Sequence, residues 1–248
     1  MLREIQQHPN TVDVNVETNE YYESVDELKD VAQSLDCDVV VNCCGLGNQK
    51  NVAHDKQLIG GRGVLLHYDR THCPRRRQYD GDATTEEQEH DAVILTECGS
   101  WASETEPCYL IPRGDTIVVG GSYLEDDTYP QLRDSERHRL LQNAYNMGID
   151  TTKAQHIGEW TGFRPYRPAV RCEEELFDSS SSSSNGVRVI HSYGHGGSGW
   201  TVNVGAAKEV VNILLNQPWD DREHVDDSID ILWHGCCTGQ AAREVAVR

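Results

Sequence analysis

Tyr193-Gly194-His195-Gly196-Gly197-Ser198-Gly199-Trp200-Thr201 stands between a short apolar run, residues 187–190, and a run of helical pattern, residues 202–215. Four glycines between a strand and a helix let the backbone pass close to a ligand. The helix start behind them offers free N–H groups and a partial positive charge. The place suits an electron-rich group: a phosphate, a carboxylate or the edge of a heterocycle. A tight turn with no ligand is the plainer alternative.

Composition narrows the class. The chain has 248 residues, enough for one domain or two small ones with a sizeable core. Its net charge is −19, from 22 basic and 41 acidic residues. Such a chain repels nucleic acid and anionic membranes, so neither is expected as a partner. Arg75-Arg76-Arg77 is a local basic spot, but Asp80, Asp82, Glu86 and Glu87 follow it, so it reads as a solvated loop. No apolar run approaches the ~20 residues that span a bilayer, and the polar residues 1–10 do not form a signal peptide. The nine cysteines include no C-x-x-C pair. Reduced thiols are therefore expected rather than a disulfide framework or a zinc site. Cys43 reads as a small core residue, and its neighbour Cys44 should point to the other face.

Residues 24–35 read as an amphipathic helix capped by Ser24, with Glu27 in the capping-box position. Val39-Val40-Val41-Asn42 is a buried strand ending in Cys43-Cys44-Gly45. Gly60-Gly61-Arg62-Gly63 reads as a turn into a strand at 64–67. Residues 70–90 are long, polar and loop-like. Strands are expected at 92–96 and 116–120, and a helix at 135–146. Pro165 and Pro168 exclude helix from 159–171, which is irregular to extended. The serine run 179–184 reads as a flexible hairpin tip, and 220–248 as partly disordered. The pattern is that of an α/β protein, with helices on the face of a layered sheet.

Three further segments share the order and form of a known family. They are Val39-Val40-Val41-Asn42-Cys43-Cys44-Gly45, then Tyr109-Leu110-Ile111-Pro112 leading into a strand that ends in Gly120-Gly121, then Thr161-Gly162-Phe163-Arg164-Pro165-Tyr166-Arg167-Pro168. With the glycine loop they resemble the D-amino-acid oxidase family, which includes D-aspartate oxidase, over about residues 20–216. The resemblance implies an FAD-binding Rossmann-like layer, here incomplete, interleaved with a mostly antiparallel β substrate domain. It divides the chain into 1–63, a remnant of the FAD domain; 64–170, the substrate domain with an insertion at 70–90; 171–217, the return to the FAD domain; and 218–248, an acidic tail. The family opens with strand, G-x-G-x-x-G and helix, which hold the ADP half of FAD. No such turn follows a strand near residue 1, so the front of that layer is expected to be missing and a bare sheet edge to remain.

The resemblance also assigns roles. Arg164 matches the clamp of the substrate α-carboxylate, a task for which a planar guanidinium fork is suited. Tyr109 matches the tyrosine whose hydroxyl touches the same carboxylate. Gly197 matches the carbonyl that takes the amino group. Cys44, Gly45, Arg164, Gly196, Gly197, Gly199, Trp200 and Thr201 match the FAD surround, with the helix start at 199–201 stabilising charge on the flavin. The implied reaction passes hydride from Cα to flavin N5, then electrons to O₂, giving H₂O₂, a keto acid and ammonia. Substrates are D-amino acids and O₂, and a homo-oligomer stays open. Two departures bear on the substrate side chain. Thr105 stands where D-amino-acid oxidases carry a second tyrosine, and residues 101–108 hold no arginine of the kind that D-aspartate oxidases use. His195 reads as hydrogen-bonding a neighbouring loop, and Ser198 is not in a G-x-S-x-G setting. The alternative function is an inactive remnant that binds an amino acid or a partner. The expected location is cytoplasmic, with peroxisomal second, because residues 244–248 are not an S-K-L-type address.

Overall fold

The computed structural model describes residues 14–18, 21–70, 94–96, 103, 105–147, 154–175, 186–216, 231–235 and 243–247. Residues 71–90 of the loop expected at 70–90, and the serine run at 179–184, lie outside them. In chain order the elements are β1 (Val14–Thr18), α1 (Val25–Ser34), β2 (Val39–Cys43), α2 (Gly47–Lys50), β3 (Ile59–Asp69), β4 (Ile94–Thr96), β5 (Cys108–Arg113), β6 (Thr116–Gly120), β7 (Leu124–Glu125), α3 (Asp134–Asn146), β8 (His156–Glu174), β9 (Arg188–His195), a 3-10 turn (Gly196–Ser198), α4 (Gly199–Leu215), β10 (Ile231–Gly235) and β11 (Arg243–Val247). They fall into two compact units, Met1–Gly60 with Arg164–Arg248, and Gly61–Phe163. Among the described residues no helix is long and apolar enough to cross a membrane.

The first unit is a doubly covered sheet. Its strands run in the order β1, β11, β10, β2, β9. β2 pairs in parallel with β9 on one side and with β10 on the other. The apolar run of β2 follows from burial on both faces, which removes the polar alternation of a half-exposed strand. Val40 and Val189 pack with Leu28 and Ala32 of α1. Val39, Val41 and Ile190 point the other way and pack with Val210 and Leu214 of α4. α1 starts where the sequence places it. The Ser24 hydroxyl accepts from Glu27 N–H at 3.2 Å, and the Glu27 carboxylate accepts in return from Glu23 N–H at 2.7 Å. That second bond lands one residue before the cap, so the box is closed by the chain leading in.

The second unit is an antiparallel sheet in the order β3, β6, β5, β4, with β7 also on β3. Val64, Leu66 and Tyr68 of β3, Leu110 of β5 and Ile117 and Val119 of β6 pack one face against Leu140 and Ala144 of α3. Gly60 to Gly63 are strand and not a turn. The reason is steric: a Cβ on Gly61 would lie 2.4 Å from the Tyr123 ring, so glycine there admits an aromatic ring onto the strand. Helix α4 starts at Gly199, three residues ahead of the expected 202, and β9 continues to His195, into the glycine loop itself. Of the tail 220–248, expected to be partly disordered, two stretches are strands, β10 and β11. They cover the edge of β2 that the sequence reading leaves bare.

Arg62, fully buried in β3, joins the second unit's sheet to its helix. Its Nη2 donates to Glu136 Oε2 at 3.0 Å, its Nη1 to Glu136 Oε1, and its Nε to the Tyr129 carbonyl at 2.7 Å. Arg133 lies over the Tyr129 ring and donates twice to Asp127, at 2.6 and 2.8 Å. The Arg133 guanidinium holds the Asp127 carboxyl down at about 2. Burial pushes Glu136 up, but Arg62 and the Arg133 N–H outweigh it and hold its carboxyl below the ordinary value. Both shifts are depressions, so their stabilising effect is present above the ordinary carboxylate range and fades as pH falls through the lowered values. Glu136→Gln leaves Arg62 charged and buried, so a loss of about 3–5 kcal/mol is expected in denaturant unfolding at neutral pH. The variant should also lose the Glu136 share of the wild type's acid-side decline in stability while the Asp127 share remains; an unchanged midpoint at pH 7 contradicts this account.

Candidate functional site

The site is built where β2 and β9 end. Asn42, fully buried near the carboxyl end of β2, makes four side-chain contacts. Its Oδ1 accepts from Cys44 N–H at 3.0 Å and from Asn48 Nδ2 at 3.3 Å. Its Nδ2 donates to Asn48 Oδ1 at 2.7 Å and faces His191 Nδ1 at 3.0 Å. Asn48 also donates to the Gly45 carbonyl at 3.3 Å. Because the amide approaches Nδ1 with a hydrogen, Nδ1 is the acceptor and the proton sits on Nε2. Nε2–H then donates to Glu175 Oε2 at 3.0 Å, and this hydrogen bond holds the Glu175 carboxyl below its ordinary value. The network ties β2, β9 and the 44–48 turn into one rigid piece.

A second network fixes the strand that carries the arginines. Tyr193 of β9 donates to Asp55 Oδ2 at 3.0 Å, and Arg167 Nε donates to the same oxygen at 3.0 Å. Arg171 Nη1 donates to the Tyr193 hydroxyl at 2.8 Å and its Nε to Glu173 at 2.7 Å. Burial pushes Asp55 up, yet the Gln57 N–H, the Tyr193 hydroxyl and Arg167 hold its carboxyl below the usual range. Burial and the Asp55 carboxylate push Tyr193 up to about 12 against the opposing pull of Arg171. Arg167 and Arg171 therefore have structural partners, in ion pairs with Asp55 and Glu173. β8, whose pairing with β9 shifts register between Tyr166 and Arg171, carries Pro168 within that irregularity.

Between these networks lies a cavity of about 310 Å³, lined by Cys43, Gly45, Pro165, residues 192–195 and the first turns of α4 from Gly199. Gly194 is required here twice over. Its φ of +90° is a backbone state that side chains avoid, and a Cβ would lie 2.7 Å from Arg167 Cβ. Ser198 makes no side-chain cap to α4, which leaves the helix start uncapped by it. His195 Nε2 is buried without a hydrogen-bond partner, and burial lowers the imidazole's proton affinity. The hydrogen bond to a neighbouring loop expected of His195 is thus not made by its Nε2.

Of the sequence-predicted residues, Arg164 and Gly197 meet: a Cβ on Gly197 would lie 3.4 Å from Arg164 Cδ and 3.6 Å from its Nε. Gly196 lies against the Tyr166 ring, and Gly45 and Gly199 line the cavity. Trp200 and Thr201 sit on the exposed side of the first turn of α4. Cys44 does not offer its side chain to the cavity; it is buried in the α1 core. The sulfur at the cavity is that of Cys43, because neighbours along a strand face opposite ways. Burial, with Cys172 nearby, pushes the Cys43 thiol up to about 12, so it stays protonated at neutral pH. Tyr109 belongs to the second unit, Gly61–Phe163. Its ring lies across the Gly120–Gly121 backbone, where a Cβ on Gly120 would fall 2.2 Å from Cζ. The paired glycines after β6 thus serve as the platform that sets the tyrosine. Asn42, Asn48, Asp55 and Tyr193 escaped the sequence reading. Only Asn42 gave a signal, as an amide closing a run of valines.

A family model described as FAD-dependent oxidoreductase (DAO) matches residues 5–213. The D-amino-acid oxidase of Dictyostelium discoideum is 30% identical over 190 residues, 75% of this chain and 46% of that protein. The D-aspartate oxidase 1 of Caenorhabditis elegans is 27% identical over 177 residues, and the human D-aspartate oxidase 28% identical over 180. The chain spans about half the length of the curated relatives it matches. The crystal structure of iminodiacetate oxidase from Chelativorans sp. BNC1 has a TM-score of 0.49 at 19% identity, covering 74% of this chain and 44% of that one. With the family match running through both units, the chain belongs to the DAO family of FAD-dependent oxidoreductases.

Proposed function

We propose that the protein carries out the oxidative deamination of D-amino acids with FAD. A D-amino acid, O₂ and water give a keto acid, ammonia and H₂O₂. The observation that carries this reading is the contact between Arg164 and Gly197. It puts a cation made for a carboxylate beside a glycine whose carbonyl suits an amine.

The cavity fits a flavin edge on its own chemistry. Gly45, Gly194 and Gly199 bring bare backbone to its wall, Ala206 and Ala207 add small apolar groups, and an unpartnered His195 nitrogen adjoins it. When bound there, FAD supplies a two-electron acceptor. The protein's own residues do the rest. Arg164 binds the α-carboxylate through its fork. Gly197 orients the amine. His195 stays neutral at pH 7, since burial holds its imidazole below its ordinary value, so it adds no positive charge near the amine. The α4 start favours negative charge at the cavity. The names of the relatives, which cover both D-amino-acid and D-aspartate oxidases, support the substrate class.

The first test is anaerobic titration of the flavin-loaded protein with D-alanine and D-aspartate. Bleaching of the visible flavin absorbance by a D-enantiomer, and not by its L-counterpart, is the expected result; a bound flavin that neither D-amino acid reduces overturns the proposal. Arg164→Met removes a charge-assisted contact worth about 1.5–3 kcal/mol, so KM for the D-amino acid should rise by about 10- to 100-fold. Flavin retention in that variant separates loss of substrate from loss of fold. Gly194→Ala forces a side chain into a left-handed position against Arg167, and flavin affinity should fall while α1 and β2 keep their hydrogen-exchange protection.

A further inference from the structure

The second unit holds Tyr109 from both faces of its sheet. Cys108 and Leu110, its neighbours on β5, are buried towards α3, where Leu110 packs with Leu140 and the Cys108 thiol lies 3.6 Å from Met147 Sδ. Alternation along the strand therefore sends the Tyr109 side chain out of the opposite face. There its ring lies across Gly120 and Gly121, and a Cβ on Gly121 would fall 2.5 Å from the hydroxyl. The height of the phenol is thus the height of the Gly121 peptide. That peptide is held in turn. Gly121 N–H donates to the Pro107 carbonyl at 2.7 Å, and Tyr123 N–H donates to the Thr105 carbonyl at 2.7 Å. Arg139 of α3 donates from Nη2 to the Gly121 carbonyl at 2.9 Å. Its Nε stands 3.1 Å from Glu106 Oε1, an ion pair without the alignment of a hydrogen bond. Ser103 and Glu106 close the lead-in on itself, Ser103 N–H donating to the Glu106 carbonyl at 3.1 Å and Glu106 N–H to the Ser103 carbonyl at 3.2 Å.

We propose that Arg139 is a positioning residue, fixing Tyr109 through the Gly121 peptide. One guanidinium reaches both the seat of the tyrosine and the residues 105–107 that lead into it. The arginine gains little for itself. Its Nε and Nη1 are buried with no hydrogen-bond partner among the described residues. A guanidinium taken out of water with few of its N–H groups paired adds little net stability over an apolar side chain. What it adds is the place of the Gly121 carbonyl. The brace itself stands on the geometry of the second unit. What the Tyr109 hydroxyl then touches rests on the reading of the protein as a D-amino-acid oxidase, whose resemblance gives it the substrate carboxylate.

The test compares the full chain with Arg139→Met, Arg139→Lys and Tyr109→Phe. Hydrogen exchange needs neither flavin nor substrate. In Arg139→Met the amides of Gly121 and Tyr123 should exchange at least about tenfold faster, while those of β3 and the second half of α3 keep their wild-type rates. Arg139→Lys, which retains a donor for the Gly121 carbonyl, should restore most of that protection. In the flavin-loaded protein Arg139→Met should raise KM for the D-amino acid by about five- to tenfold with kcat within about twofold. Added to Tyr109→Phe, it should raise KM by no more than about a further twofold, because both changes act on one contact. Unchanged exchange at Gly121 and Tyr123 in Arg139→Met overturns the proposal. So does an Arg139→Met chain that fails to fold, or a KM effect that adds in full to that of Tyr109→Phe, since the arginine then serves the fold alone. Faster exchange at both amides in a protein whose flavin no D-amino acid reduces keeps the brace and sinks the oxidase reading.

Discussion

The carboxamide of Asn42 is the joint on which the first unit turns. Parallel strands are held to each other by slanted backbone bonds, which fix their spacing but say little about what happens beyond their ends. Here one buried side chain settles that question. It takes both a backbone N–H from the turn and a histidine from the next strand. A buried amide left half satisfied costs about 1–3 kcal/mol, so the arrangement tolerates little drift. The turn at 44–48 therefore has a defined height above the sheet, and with it the floor of the cavity. The accepting role of His191 Nδ1 is part of the same requirement, since a hydrogen there would face the Asn42 N–H.

The arginines divide along similar lines. Arg62, Arg167 and Arg171 are each satisfied by carboxylates, carbonyls or a phenol within their own unit. Such buried pairs add little net stability over an apolar replacement but are costly to break singly. What they provide is position. Arg167 and Arg171 hold β8 against β9 on either side of an irregular stretch, and the backbone between them carries no freedom to wander. Arg164, just ahead of Pro165, is presented from that fixed rail towards Gly197. Arg164 and the glycine loop are thus set by different strands that share one brace through Asp55 and Tyr193.

The glycine loop and the arginine–proline segment were legible in the sequence because their chemistry is local: φ, ring closure and charge are properties of a few adjacent residues. The cap of α1 was legible for the same reason. What was not legible depends on partners distant in the chain. Gly120 and Gly121 look like no more than a strand's end and are a seat for Tyr109. Gly61 looks like a turn and makes room for Tyr123. Asp55 lies in a polar stretch of ordinary appearance and acquires its role only when β8 and β9 bring Arg167 and Tyr193 to it. The alternation of a strand settles Cys43 against Cys44, but which face holds the cavity follows only once α1 and α4 have taken opposite sides.

α4 links these parts energetically. Its second half is anchored by Val210 and Leu214 in the sheet core, while Trp200 and Val204 in its first two turns are 83% and 66% exposed. A helix braced at one end and poorly packed at the other opens most readily at the loose end. Gly199 at that end lines the cavity. A ligand packed on the first turns would supply contacts that they lack, so its binding free energy would include the ordering of the helix start. The coupling runs in both directions. Whatever firms the first turns of α4 tightens the hold on the ligand, and the same glycines that open the backbone to the ligand leave those turns weakly held without it.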